Sequence, residues 1–153
     1  MLRRRFLFSA ASIALAACAG ATSPSASTTY RPNSPNAGHP ARNIWPTFLI
    51  GANPQIREAY LFAAQHPDQL RYIPCYCGCG GSGHQGNADC FVQSRLTDEW
   101  MILEPHGAAC GTCVGIALDT KAMLAQGKPL RDIRVAIDKR WSAAGPGTPT
   151  PLP

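Results

Sequence analysis

Five of the seven cysteines in this 153-residue chain fall in two tight groups, Cys75-Tyr76-Cys77-Gly78-Cys79 and Cys110-Gly111-Thr112-Cys113. Cys90 stands between them and Cys18 lies near the start. No other feature limits the fold as strongly, because sulfurs this close in sequence must be paired, ligated or kept apart deliberately. Around the first group runs Pro74-Cys-Tyr-Cys-Gly-Cys-Gly80-Gly81-Ser82-Gly83-His84. Its glycines let the backbone turn sharply, so several sulfurs can converge on one point. In the second group, a helical spacing of i and i+3 puts Cys110 and Cys113 on one face, with His106 one turn ahead.

Three kinds of chemistry suit such a set. The first is a thiolate metal centre, since soft sulfur ligands select Cu(I), Zn(II) or iron–sulfur clusters. Six cysteines with His84 and His106 exceed one four-coordinate zinc site, so either several ions or a mixture of ligands and bystanders is required. The second is structural: an even number of cysteines outside the cytoplasm can form disulfides that staple a small core. Two Cys-x-Cys steps sharing Cys77 count against it, because neighbouring bridges would have to leave a tight loop in divergent directions. The third is thiol–disulfide exchange by Cys110 and Cys113, although the strand expected before such a motif in a βαβ unit is not legible here. The first reading ranks highest, with Cu(I) before Zn(II). Cys75, Cys77, Cys79, Cys110 and Cys113 are its preferred ligands, and Cys90, His84 and His106 are secondary.

Both ends of the chain read as something other than fold. Arg3, Arg4 and Arg5 precede a 12-residue stretch without charge, Phe6 to Ala17, that ends at Cys18. A basic segment followed by an apolar one of about 18 Å in helical form describes a secretory signal, too short to span a bilayer. Leu15-Ala16-Ala17-Cys18 resembles the lipobox of bacterial lipoproteins, which implies lipid on the Cys18 sulfur and a bilayer as partner. Arg3 and Arg4 with Phe6 and Leu7 resemble the twin-arginine export motif, whose carriers move folded, loaded proteins. The expected localisation is therefore exported and membrane-anchored, at the outer membrane if the cell has one. The formal charge of +5 includes the three signal arginines, and without them it is +2. A near-neutral mature chain has no electrostatic footprint for nucleic acid.

Residues 19–52 are rich in Pro, Ser, Thr, Asn and Ala and read as a disordered tether, with Ile44 to Ile50 an extended lead-in lying against the domain. Residues 143–153 hold four prolines and read as a disordered tail. The expected domain is then 53–142, only 90 residues, whose own core is marginal. Asn53 as cap and Pro54 as first residue open one helix, closed at His66-Pro67. A second spans about 107–126 with Gly127 as its stop, and a third follows Pro129 with Leu130, Ile133, Ile137 and Trp141 on one face. No convincing two-residue alternation is visible, so the fold class expected is all-α: three to four helices around a cysteine-rich loop. There is no phosphate-cradling loop and no nucleophile motif, so a non-enzymatic role is expected.

Tyr72-Ile73-Pro74-Cys75-Tyr76-Cys77-Gly78-Cys79-Gly80, Gly83-His84, Asp89-Cys90-Phe91-Val92, and His106 with Cys110-x-x-Cys113 together resemble the bacterial PCYCGC-motif lipoprotein family. The resemblance runs from Tyr60-Leu61-Phe62-Ala63-Ala64 to Ile133-Arg134-Val135-Ala136-Ile137-Asp138. Residues 93–104 carry no part of it. The family takes its name from the motif and not from an activity, so the resemblance implies relatives without implying a function.

Overall fold

The computed structural model describes residues 32–96 and 99–153. Cys18, the export motif of Arg3, Arg4, Phe6 and Leu7, and residues 19–31 of the expected tether lie outside the described residues.

Helix α1 (Pro54–Gln65) starts where its sequence says it should. The Asn53 side chain accepts a hydrogen bond from the Gln55 backbone N–H, and Pro54 fills the first position, where no donor is needed. Ala59, Tyr60 and Ala63 turn inward and are fully buried. The short α2 (Pro67–Leu70) follows at once. Helix α4 (Gly111–Ala125) ends in a Schellman arrangement: Gly127 takes φ 72°, its N–H bonds the Leu124 carbonyl, and the Lys128 N–H bonds the Met123 carbonyl. Helix α5 (Leu130–Trp141) buries Ile133 and Ile137 on one side. It lies close to α4 because Gly115 leaves room for the Trp141 ring, which a Cβ there would meet at 2.5 Å.

The fold is not all-α. A three-stranded antiparallel sheet packs beside the helices, in the order β1 (Ala37–Gly38), β3 (Met101–Leu103), β2 (Val92–Arg95). Ala37 pairs with Ile102 on one side of β3, and Ser94 pairs with Ile102 on the other, with a bulge at Gln93. The sheet joins the helices through Arg95, whose guanidinium donates to the Ala63 and Ala64 carbonyls at the end of α1. Those carbonyls have no partner within their helix, and a cation there also opposes the helix dipole. The domain is thus a small mixed α and β unit, with the sheet built from the unassigned 93–104 stretch and from residues expected to be tether.

Neither flank is loose where the structure describes it. On the N-terminal side, His39 exchanges backbone hydrogen bonds with Ile44, Leu49 is fully buried, and His39 itself is enclosed with its ring edge-on to Trp100. On the C-terminal side, residues 145–151 run across the cysteine loop. Proline and glycine composition argues against an independent core, but such segments still order when a preformed surface supplies partners for their backbone.

Candidate metal centre

The motif loop is shaped by two left-handed glycines, Gly78 at φ 84° and Gly83 at φ 92°, around a 3-10 turn at Cys79–Ser82. Side chains other than glycine rarely adopt such angles, so these residues are what folds Cys75, Cys77 and Cys79 inward. Tyr76 anchors the loop to α5: it is buried, and its hydroxyl donates to Asp138 Oδ1 at 2.7 Å. Burial, reinforced by that carboxylate, pushes its phenol up to about 12. The Cys75 main chain is tied at both ends to one residue of the C-terminal segment. Its N–H donates to Thr148 Oγ1 at 3.0 Å, and its carbonyl accepts from the Thr148 N–H at 3.0 Å.

The opposite wall is α4 with the short α3 (His106–Ala109) before it. Cys113, in the first turn of α4, points into the core, and Asn87 Nδ2 holds its carbonyl at 3.2 Å. Its sulfur meets those of Cys75 at 3.4 Å and Cys77 at 3.5 Å, and Cys75 and Cys77 lie 3.4 Å apart. Cys77 Sγ also contacts His106 Nε2 at 3.3 Å. Deeper along the loop, Cys79 and Cys90 approach to 3.6 Å, and Cys90 reaches His84 Nδ1 at 3.5 Å. The two imidazoles are neighbours, with centroids 5.2 Å apart. All six cysteines among the described residues are free thiols, and these separations are far from the roughly 2.05 Å of a disulfide.

Seven of the eight expected ligands therefore converge. Their donor atoms form three overlapping groups, each with mutual separations within 4.8 Å: Cys75, Cys77, Cys79 and Cys90; Cys77, Cys90, His106 and Cys113; Cys79, His84, Cys90 and His106. A centre of this kind can hold a metal ion. Cys90 belongs to all three groups, a rank its isolated position in the sequence conceals.

Cys110 belongs to none of them. The expected helix from 107 breaks at this residue, which is extended at φ −121°, ψ 103° and acts as the N-cap of α4. Its sulfur turns back to accept from the Cys113 N–H at 3.4 Å, and it lines a cleft with Val114 and Leu118 on the outside of the helix. The i, i+3 argument fails because only one of the two cysteines is helical.

The five thiols of the centre differ in acidity. Hydrogen bonding with Cys113 holds Cys75 below the ordinary thiol range, against the opposing effect of burial. Cys113 is pushed well above that range, first by its bonds to Cys75 and Cys90 and then by burial. Burial raises Cys77 and Cys79 as well. Hydrogen bonding with Cys113 draws Cys90 down, but Cys75 and burial outweigh it and leave it raised. A second buried thiolate beside the first would be too costly without a positive ion.

The match to a family model runs over residues 9–153, and that family is described as a protein of unknown function with PCYCGC motif. The chain belongs to the PCYCGC family. Comparison with curated proteins and with solved structures gives no match. The family motif is the loop wall of the centre, and its Pro74 and Cys75 lead directly into the sulfur triangle. Three supporting residues carry no signal in the sequence. Thr148 sits in a Pro/Thr-rich tail, Asn87 in a turn, and Gly107 looks like an ordinary glycine although a Cβ there would meet the Cys90 carbonyl at 2.6 Å.

Proposed function

We propose that this protein is an exported, membrane-anchored lipoprotein whose domain binds a thiophilic metal ion through its cysteine centre, for sequestration or delivery. One observation carries the metal reading. Cys75 and Cys77 from the loop and Cys113 from α4, far apart in sequence, form a sulfur triangle with 3.4–3.5 Å sides and no S–S bond. A tetrahedral Zn(II) thiolate site, with Zn–S near 2.3 Å, has sulfurs about 3.8 Å apart, so a small outward movement of each side chain admits the ion. Four donors at hand, and imidazoles beside the thiolates, favour Zn(II) over the Cu(I) that sulfur count alone ranks first. The anchoring part of the proposal rests on the signal-like residues and Cys18.

The direct test is to purify the chain under reducing conditions from metal-replete cells, measure bound metal, and count free thiols after denaturation. Zinc at one equivalent or more, reduced in Cys113→Ser, is the expected result. Copper in its place would revise the ion and keep the centre. Metal at trace levels, with the six domain cysteines oxidised after export, would replace the proposal with a disulfide-stapled domain. Labelling with a lipid precursor, lost in Cys18→Ala, tests the anchor separately.

A further inference from the structure

The converging donors are too many for one ion, and their three overlapping groups can be divided into two four-donor sets that share one residue. Cys90 lies within 4.8 Å of Cys75, Cys77 and Cys113, and these three already touch one another. Cys75, Cys77, Cys90 and Cys113 are thus a complete four-sulfur set. Cys79, His84, Cys90 and His106 are a second set of four, with two sulfurs and two imidazole nitrogens. Two four-coordinate sites sharing one ligand need seven donors, which is the number that converges, and the shared ligand is Cys90.

We infer that the centre is binuclear, with the Cys90 thiolate bridging a four-sulfur site and a Cys2His2 site. This deepens the metal-binding reading and rests on it. Charge supports the count. One divalent ion on the four sulfurs, with Cys79 still protonated, leaves two negative charges in a largely buried centre, whereas two divalent ions on five thiolates and two neutral imidazoles leave one. Each binding event displaces thiol protons to solvent, and no electron moves. A thiolate sulfur has lone pairs enough for two metal ions, which an imidazole nitrogen does not, so the bridge falls on a cysteine.

The two sites differ in access. Cys75 and Cys113, which belong to the four-sulfur site alone, are fully buried, and Cys77 beside them is partly exposed. At the other end, His84 opens on a polar cleft of about 360 Å³ that is also lined by Asp89, Gln93 and Glu104. A cation approaching from solvent meets carboxylates first and an imidazole next. The Cys2His2 site is accordingly the exchangeable one, and the four-sulfur site the retained one.

Titration of the whole reduced chain with Zn(II), followed by native mass spectrometry, tests the count. Two ions per chain are expected, with one removed at least tenfold faster by a chelator. The double variant His84→Ala/His106→Ala is expected to keep one. Substitution with Co(II) should give two magnetically coupled ions in the wild type, and the coupling should vanish in Cys90→Ser. One ion in the wild type would overturn the binuclear centre and leave the metal-binding reading standing; none would overturn both. Loss of both ions from a folded His84→Ala/His106→Ala chain would also overturn it, by making the imidazoles part of a single site. The wild-type count stands even if a variant fails to fold.

Discussion

The two walls of the centre are held by different forces. The helical wall is part of the core: Ile116 and Thr120 are fully buried on α4, which packs against α1 and, through Gly115 and Trp141, against α5. The loop wall has little regular structure, and polar ties to distant residues hold it, from Thr148 to Cys75 and from Asp138 to Tyr76. Loss of one tie should loosen the loop while the helices stay folded, because local opening follows local contact density. Stability and metal retention should therefore respond to different substitutions.

The sharpest test lies in the helical wall. Ile116→Ala removes a fully buried side chain, and should cost about 3 kcal/mol of stability in urea unfolding of the metal-free, reduced chain. Because Ile116 is not a ligand, zinc stoichiometry of the folded fraction should be unchanged. A proportionate loss of bound metal would mean that the two walls are not separable.

Thr148→Val tests the loop wall with nearly the same shape. It leaves the Cys75 N–H without its side-chain acceptor, at a cost of about 1–2 kcal/mol. Chelator-driven zinc release should speed up by about five- to thirtyfold, an effect Ile116→Ala should not match. Equal release rates in the two variants would remove the distinction between the walls.

The same contrast explains what the sequence made legible. Helices α1 and α5 announce themselves by periodicity and by caps at Asn53 and Pro129, and α4 by its Gly127 stop. Each of these signals is local. The sheet gave no such signal, since its strands are two to four residues long, one is Ala37–Gly38, and another contains a bulge. Alternation needs more residues than that to register. Composition measures what a flanking segment can bury alone, whereas His39, Leu49 and Thr148 are buried by the rest of the domain. At the site, clustering singled out the loop cysteines and Cys113. The central place of Cys90 depends on how α3 packs beneath it at Gly107, a purely tertiary fact.

Acidity separates the walls from the ion that would join them. Burial and sulfur–sulfur hydrogen bonds push Cys77, Cys79, Cys90 and Cys113 above the ordinary thiol value near 9, and hydrogen bonding with Cys113 draws Cys75 below it. A raised thiol stabilises the fold fully below its unfolded pKa, and that contribution is lost as pH rises towards the folded one. Cys75 contributes in the opposite sense, gaining up to its unfolded pKa and staying constant beyond it. With four raised and one lowered, the metal-free protein should lose stability above about pH 9. Zinc-loaded protein should do the reverse and weaken towards acid, because protons compete for thiolates already bound to the ion. Urea unfolding at pH 6, 8 and 10 should show the metal-free protein losing stability between pH 8 and 10, where the zinc-loaded protein does not, and the zinc-loaded protein losing more than the metal-free one between pH 8 and 6. Parallel slopes would show that zinc is not bound by the thiols.

The smallest effect is expected where the sequence alone predicts a large one. Cys110 and Cys113 look like equals three residues apart, yet one caps α4 from outside and the other sits in the sulfur triangle. Serine is a better N-cap than cysteine because its oxygen is a stronger acceptor for the Cys113 N–H. Cys110→Ser should therefore shift stability by no more than about 0.5 kcal/mol, and upward if at all. Its zinc content and release rate should equal those of the wild type, whereas Cys113→Ser should lose the ion held by the four-sulfur set. Loss of zinc in Cys110→Ser would require the α4 N-terminus to unwind and turn Cys110 inward, which would make the helical wall as mobile as the loop it faces.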